Sequence, residues 1–360
     1  MNVIFAVLLL SSSVVSDANS VTWKPSERWR GFNLLGMFLS RRHAEPVASD
    51  PGFSRTPGYF PEEDFRWMHD WGFNFARLPL DYRCWIRGND WNAIDEAELG
   101  KLDAAIAHGR KYGIHVQLCL HRAPGYCVNP PAEPKSLFHD DEAFAVCAKH
   151  WRCLAKRYRG VPNDVLTFDL FNEPDAHESR VRTNMVRVVK GLVAAIRAED
   201  PNRVIVADGY YYGRKPIDEL ADRPDIIQSI HAYDPADVSH FGAEWRREGK
   251  LKRAEWPPAG VKDGMDYIRD AFYGEWFRIR EKGVFLYVGE TGVYKNCPHD
   301  VALRFMEDKL RLWKKENLGW CLWNLRGAFG IVDSGRTDIV CEDFEGHKLD
   351  RKMLDLLRKY

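Results

Sequence analysis

Val165-Leu166-Thr167-Phe168-Asp169-Leu170-Phe171-Asn172-Glu173-Pro174 reads as a buried strand that stops abruptly. Its side chains are apolar almost throughout, the pattern of a strand covered on both faces. Pro174 cannot donate to a sheet ladder, so the strand is expected to run up to it and end on Asn172-Glu173. A second stretch, Val284-Phe285-Leu286-Tyr287-Val288-Gly289-Glu290, followed by Thr291-Gly292, repeats the pattern and again ends on a glutamate. In α/β enzymes the C-terminal strand ends form the mouth where chemistry is done. Two such glutamates facing one cavity are a carboxylate pair suited to acid–base and nucleophilic work.

Working outward, strand-like runs alternate with helical ones. Strands are expected at 31–38, 73–80, 114–120, the quoted run, 203–208, 226–231, 284–290 and 319–324. Helices are expected at 61–71, with Pro61 in its first turn, and at 95–112, with Gly113 as C-cap. Others follow at 140–158, 182–199, 301–315 and 349–360. Eight strands alternating with helices predict an α/β fold, a (β/α)8 TIM barrel, as one catalytic domain over residues 21–360. A doubly wound open sheet is the alternative, but no glycine-rich phosphate loop follows the first strand. The stretch 234–264 is a long insertion after the sixth strand, carrying Trp245 and Trp256, and loops there shape a barrel's mouth.

Composition narrows the partners. Lys plus Arg and Asp plus Glu both number 52, so the formal charge is zero and no basic stripe points to nucleic acid. Thirteen Trp and 14 Tyr supply faces that can stack on sugar rings. Residues 1–20 are apolar, then small and Ser-rich, and read as a secretory leader cleaved after Ala18 or Ser20, although no Lys or Arg stands near Met1. The chain is therefore expected to be secreted or periplasmic. The apolar run is too short to span a bilayer, and no later run is long enough. Eight cysteines include no CxxC pair, so no zinc ribbon or redox motif is expected. Cys119 and Cys321 sit in apolar runs as core residues, and disulfides among the others stay open. The histidines show no HExxH spacing, so neither a metal nor another cofactor is called for.

The strand ends, read in order, carry Arg77, His121, Asn172-Glu173, His231-Ala232-Tyr233, Glu290 and Trp323. This ordered set resembles glycoside hydrolase family 5, the family of many cellulases. Members share an Arg, a His, an Asn-Glu pair, a His-x-Tyr, a second Glu and a Trp. Phe329-Gly330-Ile331-Val332-Asp333-Ser334 also resembles the family's last barrel loop. The resemblance covers nearly the whole of 21–360. It implies a retaining β-glycosidase in which Glu290 is the nucleophile and Glu173 the acid, then the base, with the carboxyl groups about 5–5.5 Å apart. The charge on Glu290 would keep Glu173 protonated until esterification removes it. The resemblance further assigns Asn172 to the sugar 2-hydroxyl, and makes Arg77 the group that holds Glu290 ionised. Tyr233 would donate to Glu290, His231 and His121 would bind hydroxyls or orient the carboxylates, and Trp323 would floor the reacting sugar.

The expected partner is thus a β-linked oligo- or polysaccharide, foremost β-1,4-glucan cut in endo fashion. Mannan or β-1,3-glucan, and exo action behind the 234–264 loop, remain alternatives. Tyr126, Tyr210, Tyr211, Tyr212, Trp245 and Trp256 are candidates for further sugar contacts, whereas His115, at a strand start, is expected to be structural. A carbohydrate-binding protein without catalysis would keep the aromatic faces and lose a carboxylate, yet both are present. A barrel acting on a phosphorylated substrate would need a glycine-rich turn near strands seven and eight, where Gly289 and Gly292 instead flank a glutamate that repels phosphate.

Overall fold

The structure is a computed structural model that describes residues 23–38, 58–88, 90–176, 178–246 and 254–360. The expected leader at 1–20 and the middle of the long loop lie outside the described residues. Eight barrel strands are β1 (Arg30–Asn33), β2 (Phe75–Asp81), β3 (His115–Ala123), β4 (Leu166–Asp169), β5 (Ile205–Asp208), β6 (Ile226–His231), β7 (Leu286–Thr291) and β8 (Gly319–Leu322). Each pairs in parallel with its neighbour, β1 also pairs with β8, and the ring is closed. This is the (β/α)8 barrel expected.

Helices α1 (Glu62–Asp70), α2 (Glu96–Tyr112), α3 (Asp141–Arg157) and α4 (Ser179–Glu199) cover the outside of the first half. The second half carries α5 (Gly264–Ile268), α6 (Gly274–Arg280), α7 (His299–Lys315) and α8 (Arg351–Lys359). Their ends follow local chemistry. Asp95 and Asp140 accept the backbone N–H of Ala97 and Ala143 at 2.9 Å, capping α2 and α3. Gly113 closes α2 at φ 64°. Between β5 and β6 there are only short helical turns, Tyr210–Gly213 and Asp218–Leu220. The sequence reading named no helix in the stretch that became α5 and α6.

The barrel's inside and outside separate by strand parity. Phe32, Ala76, Leu78, Val116, Leu118, Phe168, Ile205, Ile226, Val288 and Trp320 belong to the large core beneath the helices. Phe75, Val206, Ile227, Tyr287 and Cys321 form a second cluster with Trp29 inside the barrel. Continuing the inner parity towards the C-terminal ends brings Arg77, Cys119, His121, Asp169, Asp208 and His231 to one place. The polar set therefore sits on a dry, aromatic floor.

Three strands end earlier than the sequence suggested. β1 stops at Asn33, β4 at Asp169 and β8 at Leu322, so Asn172, Glu173 and Trp323 stand on the loops just beyond. The chain past β4 still hydrogen-bonds its neighbours, Leu170 N–H to Val206 at 3.1 Å and Asn172 N–H to Leu120 at 3.2 Å. It then turns at Glu173, whose φ is 50°. It is this turn, one residue before Pro174, and not the proline alone that ends the run. Cys119 and Cys321 are buried, as expected, and all eight cysteines are free. No helix among the described residues is long and apolar enough to cross a membrane.

Candidate active site

Glu290 reaches the cavity through an irregularity. Tyr287 and Gly289 hold the inner parity, so Glu290 would face outward in a regular strand. The register between β7 and β6 shifts between Val288 and Glu290, which re-aims the carboxylate inward. Only glycine fits at 289, because a Cβ there would lie 2.3 Å from Ser229 Oγ.

Arg77 is fully buried and organises the cluster. Its Nη1 donates to Glu290 Oε1 at 2.7 Å and to Asn33 Oδ1 at 3.0 Å. Its Nε donates to Asp169 Oδ2 at 3.0 Å, and its Nη2 to Asn172 Oδ1 at 2.8 Å. Tyr233 donates its hydroxyl to Glu290 Oε2 at 3.0 Å. His231 Nδ1 lies 2.8 Å from Glu173 Oε1 and 3.6 Å from Glu290 Oε2. One oxygen of Glu173 and one of Glu290 stand within 4.8 Å of each other and of the His231 ring nitrogen. Those three groups could in principle hold an ion, but Arg77 bonds Glu290 directly, and a guanidinium there opposes a second cation.

Burial and charge set the protonation states. Burial lifts the Glu290 carboxyl to about 7, against the pull of His231 and Arg77. The expectation that Arg77 simply holds Glu290 ionised is thus modified: the ion pair is present, but loss of water outweighs it. Burial, then the charge of Asp208, raises Asp169 to about 7 as well. Asp208 is buried too, yet His231 and Arg77 hold its carboxyl below the usual range. Burial would drive His231 neutral, but Asp208 and Glu290 hold it well above its ordinary value. His121 goes the other way: burial, then Arg77, lowers it to about 3, so its ring is neutral. Burial and the Glu290 charge push the Tyr233 hydroxyl up, which keeps it a donor.

A cavity of about 560 Å³ opens above this cluster, lined by His121, Glu173, His231, Tyr233, Glu290 and Trp323 among others. Arg77 and Asn172 lie beneath it, so the structure brings all eight predicted residues together. Trp323 stacks on the His121 ring, with centroids 5.3 Å apart at 29°. His121 Nε2 is engaged by Asn129 at 2.8 Å. His121 Nδ1 and Asn172 Nδ2 are left without a partner among the described residues.

The aromatic candidates divide. Trp245 and Tyr212 line the cavity. Trp256 is core, packed on Phe305 with its Nε1 donating to Asp308 at 3.0 Å. Tyr210 is buried and donates to Glu219 at 3.0 Å, and Tyr126 donates to the Glu173 carbonyl at 2.6 Å. Tyr211 is not among the residues that line the cavity. His115 is structural, bonded to the Asp164 carbonyl and Thr167 Oγ1. The sequence reading missed Asn33, Asp169, Asp208 and Lys309. Lys309, buried in α7, donates to the Ala232 carbonyl, which also accepts from Thr291 Oγ1 at 2.9 Å, and so fixes the His231–Tyr233 segment.

Two carboxylates this close at a barrel mouth suit a retaining glycosidase, and the comparison with known proteins gives the family. The family model Cellulase (glycosyl hydrolase family 5) matches residues 52–328. The chain belongs to that family. Among family-like relatives, Cellodextrinase A of Ruminococcus flavefaciens is 24% identical over 274 residues, covering 73% of this chain and 78% of the relative. Endoglucanase C of Acetivibrio thermocellus is 24% identical over 311 residues, covering 79% and 89%. A solved structure described as a glycoside hydrolase superposes with a TM-score of 0.81 at 33% identity, covering 92% of this chain and 99% of that one. The fold and the family thus rest on the same barrel that the sequence pattern predicted.

Proposed function

We propose that this member of glycosyl hydrolase family 5 is a retaining endo-β-1,4-glucanase with Glu290 as nucleophile and Glu173 as acid and base. The observation that carries the reading is the spacing: oxygens of the two glutamates stand within 4.8 Å. Retaining enzymes need about 5–5.5 Å between the carboxyl groups, and inverting ones about 6.5–9.5 Å. In the first step a Glu290 oxygen attacks the anomeric carbon while the glycosidic C–O bond breaks. Glu173 gives its proton to the leaving oxygen. In the second step Glu173 takes a proton from water, whose oxygen attacks the same carbon and releases Glu290 from its ester.

The neighbours support both steps. Asn172 Nδ2, unpartnered and beside the cluster, is free to donate to the sugar 2-hydroxyl. Neutral His121, with Nδ1 open, suits a sugar hydroxyl, and the Trp323 ring beside it offers the floor. Arg77, Tyr233 and His231 hold the carboxylates in register. The preference for β-1,4-glucan is supported by the names of the cellodextrinase and the endoglucanase that the chain resembles. The reading extends to a secreted protein, from the apolar and Ser-rich residues 1–20. Intact-mass measurement of protein from the culture medium should find a chain starting at 19 or 21. Retention of Met1 would refute the leader.

A substrate panel with product analysis tests the activity. Soluble cellulose, mixed-linkage glucan, mannan and aryl glycosides are incubated in parallel, and the first product is followed by proton NMR. A mixture of short cello-oligosaccharides, released first as the β-anomer, is expected. An initial α-anomer would overturn the two-step assignment, and no reducing sugar from any substrate would overturn the enzyme itself.

A further inference from the structure

β5 supplies none of the residues predicted from sequence, yet its last residue touches three parts of the site. Asp208 is buried, and one of its oxygens, Oδ2, gathers three contacts. It accepts the backbone N–H of Glu173 at 3.0 Å. It lies 3.0 Å from His231 Nε2, a charge contact and not an aligned hydrogen bond. It also lies 3.4 Å from Arg77 Nη2. Through these it meets the proposed acid, the imidazole that bonds that acid, and the guanidinium that bonds the proposed nucleophile.

Two features need such a group. Glu173 adopts a left-handed backbone, φ 50°, which a side chain with a Cβ takes up only when its surroundings impose it. Asp208 holds its N–H from one side, and Tyr126 holds its carbonyl from the other at 2.6 Å. His231 presents Nδ1 to Glu173 and Glu290, and Nε2 to Asp208. A ring with carboxylates at both nitrogens is favoured as the doubly protonated imidazolium. Of the other charged or titratable groups around it, Asp169 on β4 favours that charge, Arg77 on β2 shares Asp208 Oδ2 with it, and His121 on β3 is neutral.

We propose that Asp208 is a positioning residue: it fixes the backbone of Glu173 and keeps His231 an imidazolium aimed at the Glu173 carboxylate. This rests on the glycosidase reading and adds a partner to the proton-transferring side of the site. Arg77 serves the nucleophile, and Asp208 through His231 serves the acid. Glu173 returns to the carboxylate each time it gives up its proton, and the imidazolium is the donor that receives that charge.

Asp208→Asn separates this role from plain packing, since it keeps size and one acceptor oxygen but removes the charge. Two substrates are compared. Cellotetraose has a sugar leaving group that needs a proton. A 2,4-dinitrophenyl β-cellobioside releases a phenolate that needs none. The fall in kcat/KM is expected to be at least tenfold greater on cellotetraose. In ¹⁵N-histidine NMR spectra, both His231 nitrogens should stay protonated at pH 8 in the wild type, and one should lose its proton in the variant. Equal falls on the two substrates would overturn the proposal. So would a neutral His231 in the wild type, a measurement that needs no variant and still decides if Asp208→Asn fails to fold. A wild type that cleaves neither substrate would sink the glycosidase reading instead, while the spectrum reads the His231 charge independently.

Discussion

Glu290→Gln should make the protein more stable at alkaline pH while abolishing hydrolysis. The Glu290 carboxyl is raised from 4.5 to about 7 by burial. A carboxyl whose folded value exceeds its unfolded one binds its proton more tightly in the native state. Its contribution to stability is therefore complete below about 4.5 and is lost as pH rises through about 7. Ionised at pH 8, it burdens the fold by about 3 kcal/mol, and at pH 5 by less than about 1 kcal/mol. Glutamine has the shape of the protonated acid and removes that burden. Its carbonyl oxygen keeps the Arg77 bond, and its amide can donate to the Tyr233 oxygen, whose own proton then turns to the open cavity. For a domain of this length about 2 °C is gained per kcal/mol. Differential scanning fluorimetry should thus show Tm higher by roughly 6 °C at pH 8 and by roughly 1–2 °C at pH 5. Asp169, also raised to about 7, titrates in both proteins and cancels from the difference. A variant no more stable than the wild type at pH 8, or a gain equal at the two pH values, would refute the reasoning.

The same ionisation should govern the rate. In the proposed mechanism nucleophilic attack needs the Glu290 carboxylate, so kcat/KM is expected to rise through about 7 and to be at least tenfold lower at pH 5 than at pH 8; a flat pH–rate profile between those values would contradict it. Glu173→Ala should cut cellotetraose hydrolysis by about 10²–10⁴-fold, and added azide should restore turnover of the dinitrophenyl substrate as the β-glycosyl azide. An α-azide product would count against retention. Trp245→Ala should raise KM for cello-oligosaccharides by roughly tenfold, the worth of one stacking face at about 1 kcal/mol or slightly more, because Trp245 is 44% exposed and lines the cavity. Its kcat should change little, and an unaltered KM would remove Trp245 from the binding surface.

The barrel was legible because the β-runs are apolar on both faces and most are followed by a helix. That same feature hid part of the site. With both faces buried, the parity that separates the barrel's inside from its outside leaves no hydropathy trace. Asp169 and Asp208 share the parity of Arg77 and His231, and Asp208 closes its strand as a carboxylate. The rule that picked out Glu290 would have found it. Asn33 and Lys309 gave no such signal, since one lies inside an expected strand and the other in the middle of a helix, far along the chain from its partner. Glu290 itself was found for an incomplete reason: a regular strand would have turned it outward, and only the shift at Gly289 brings it in. The aromatic residues of the loops were the least legible. Trp245 and Trp256 stand on the same insertion, yet one lines the cavity and the other is core.

In the proposed mechanism the buried charges would let one site run two opposite proton transfers. Arg77 and His231 carry positive charge, Asp208 and ionised Glu290 carry negative charge, and Asp169 holds a proton up to about 7. The cluster is then balanced around the proposed acid, Glu173. When Glu290 becomes an ester, one negative charge disappears and Arg77 and His231 do not move. The surplus positive charge now lies beside Glu173, 2.8 Å away at the nearest point. In so dry a place a charge at that range is weakly screened, and in the proposed second step it faces the group that must take a proton from water. In that proposal, reversal of the acid's role is driven by the bond that the nucleophile forms. In its proposed role Asp208 belongs to this balance, because it keeps His231 charged: without it the imidazolium, and with it the surplus beside Glu173, would be lost.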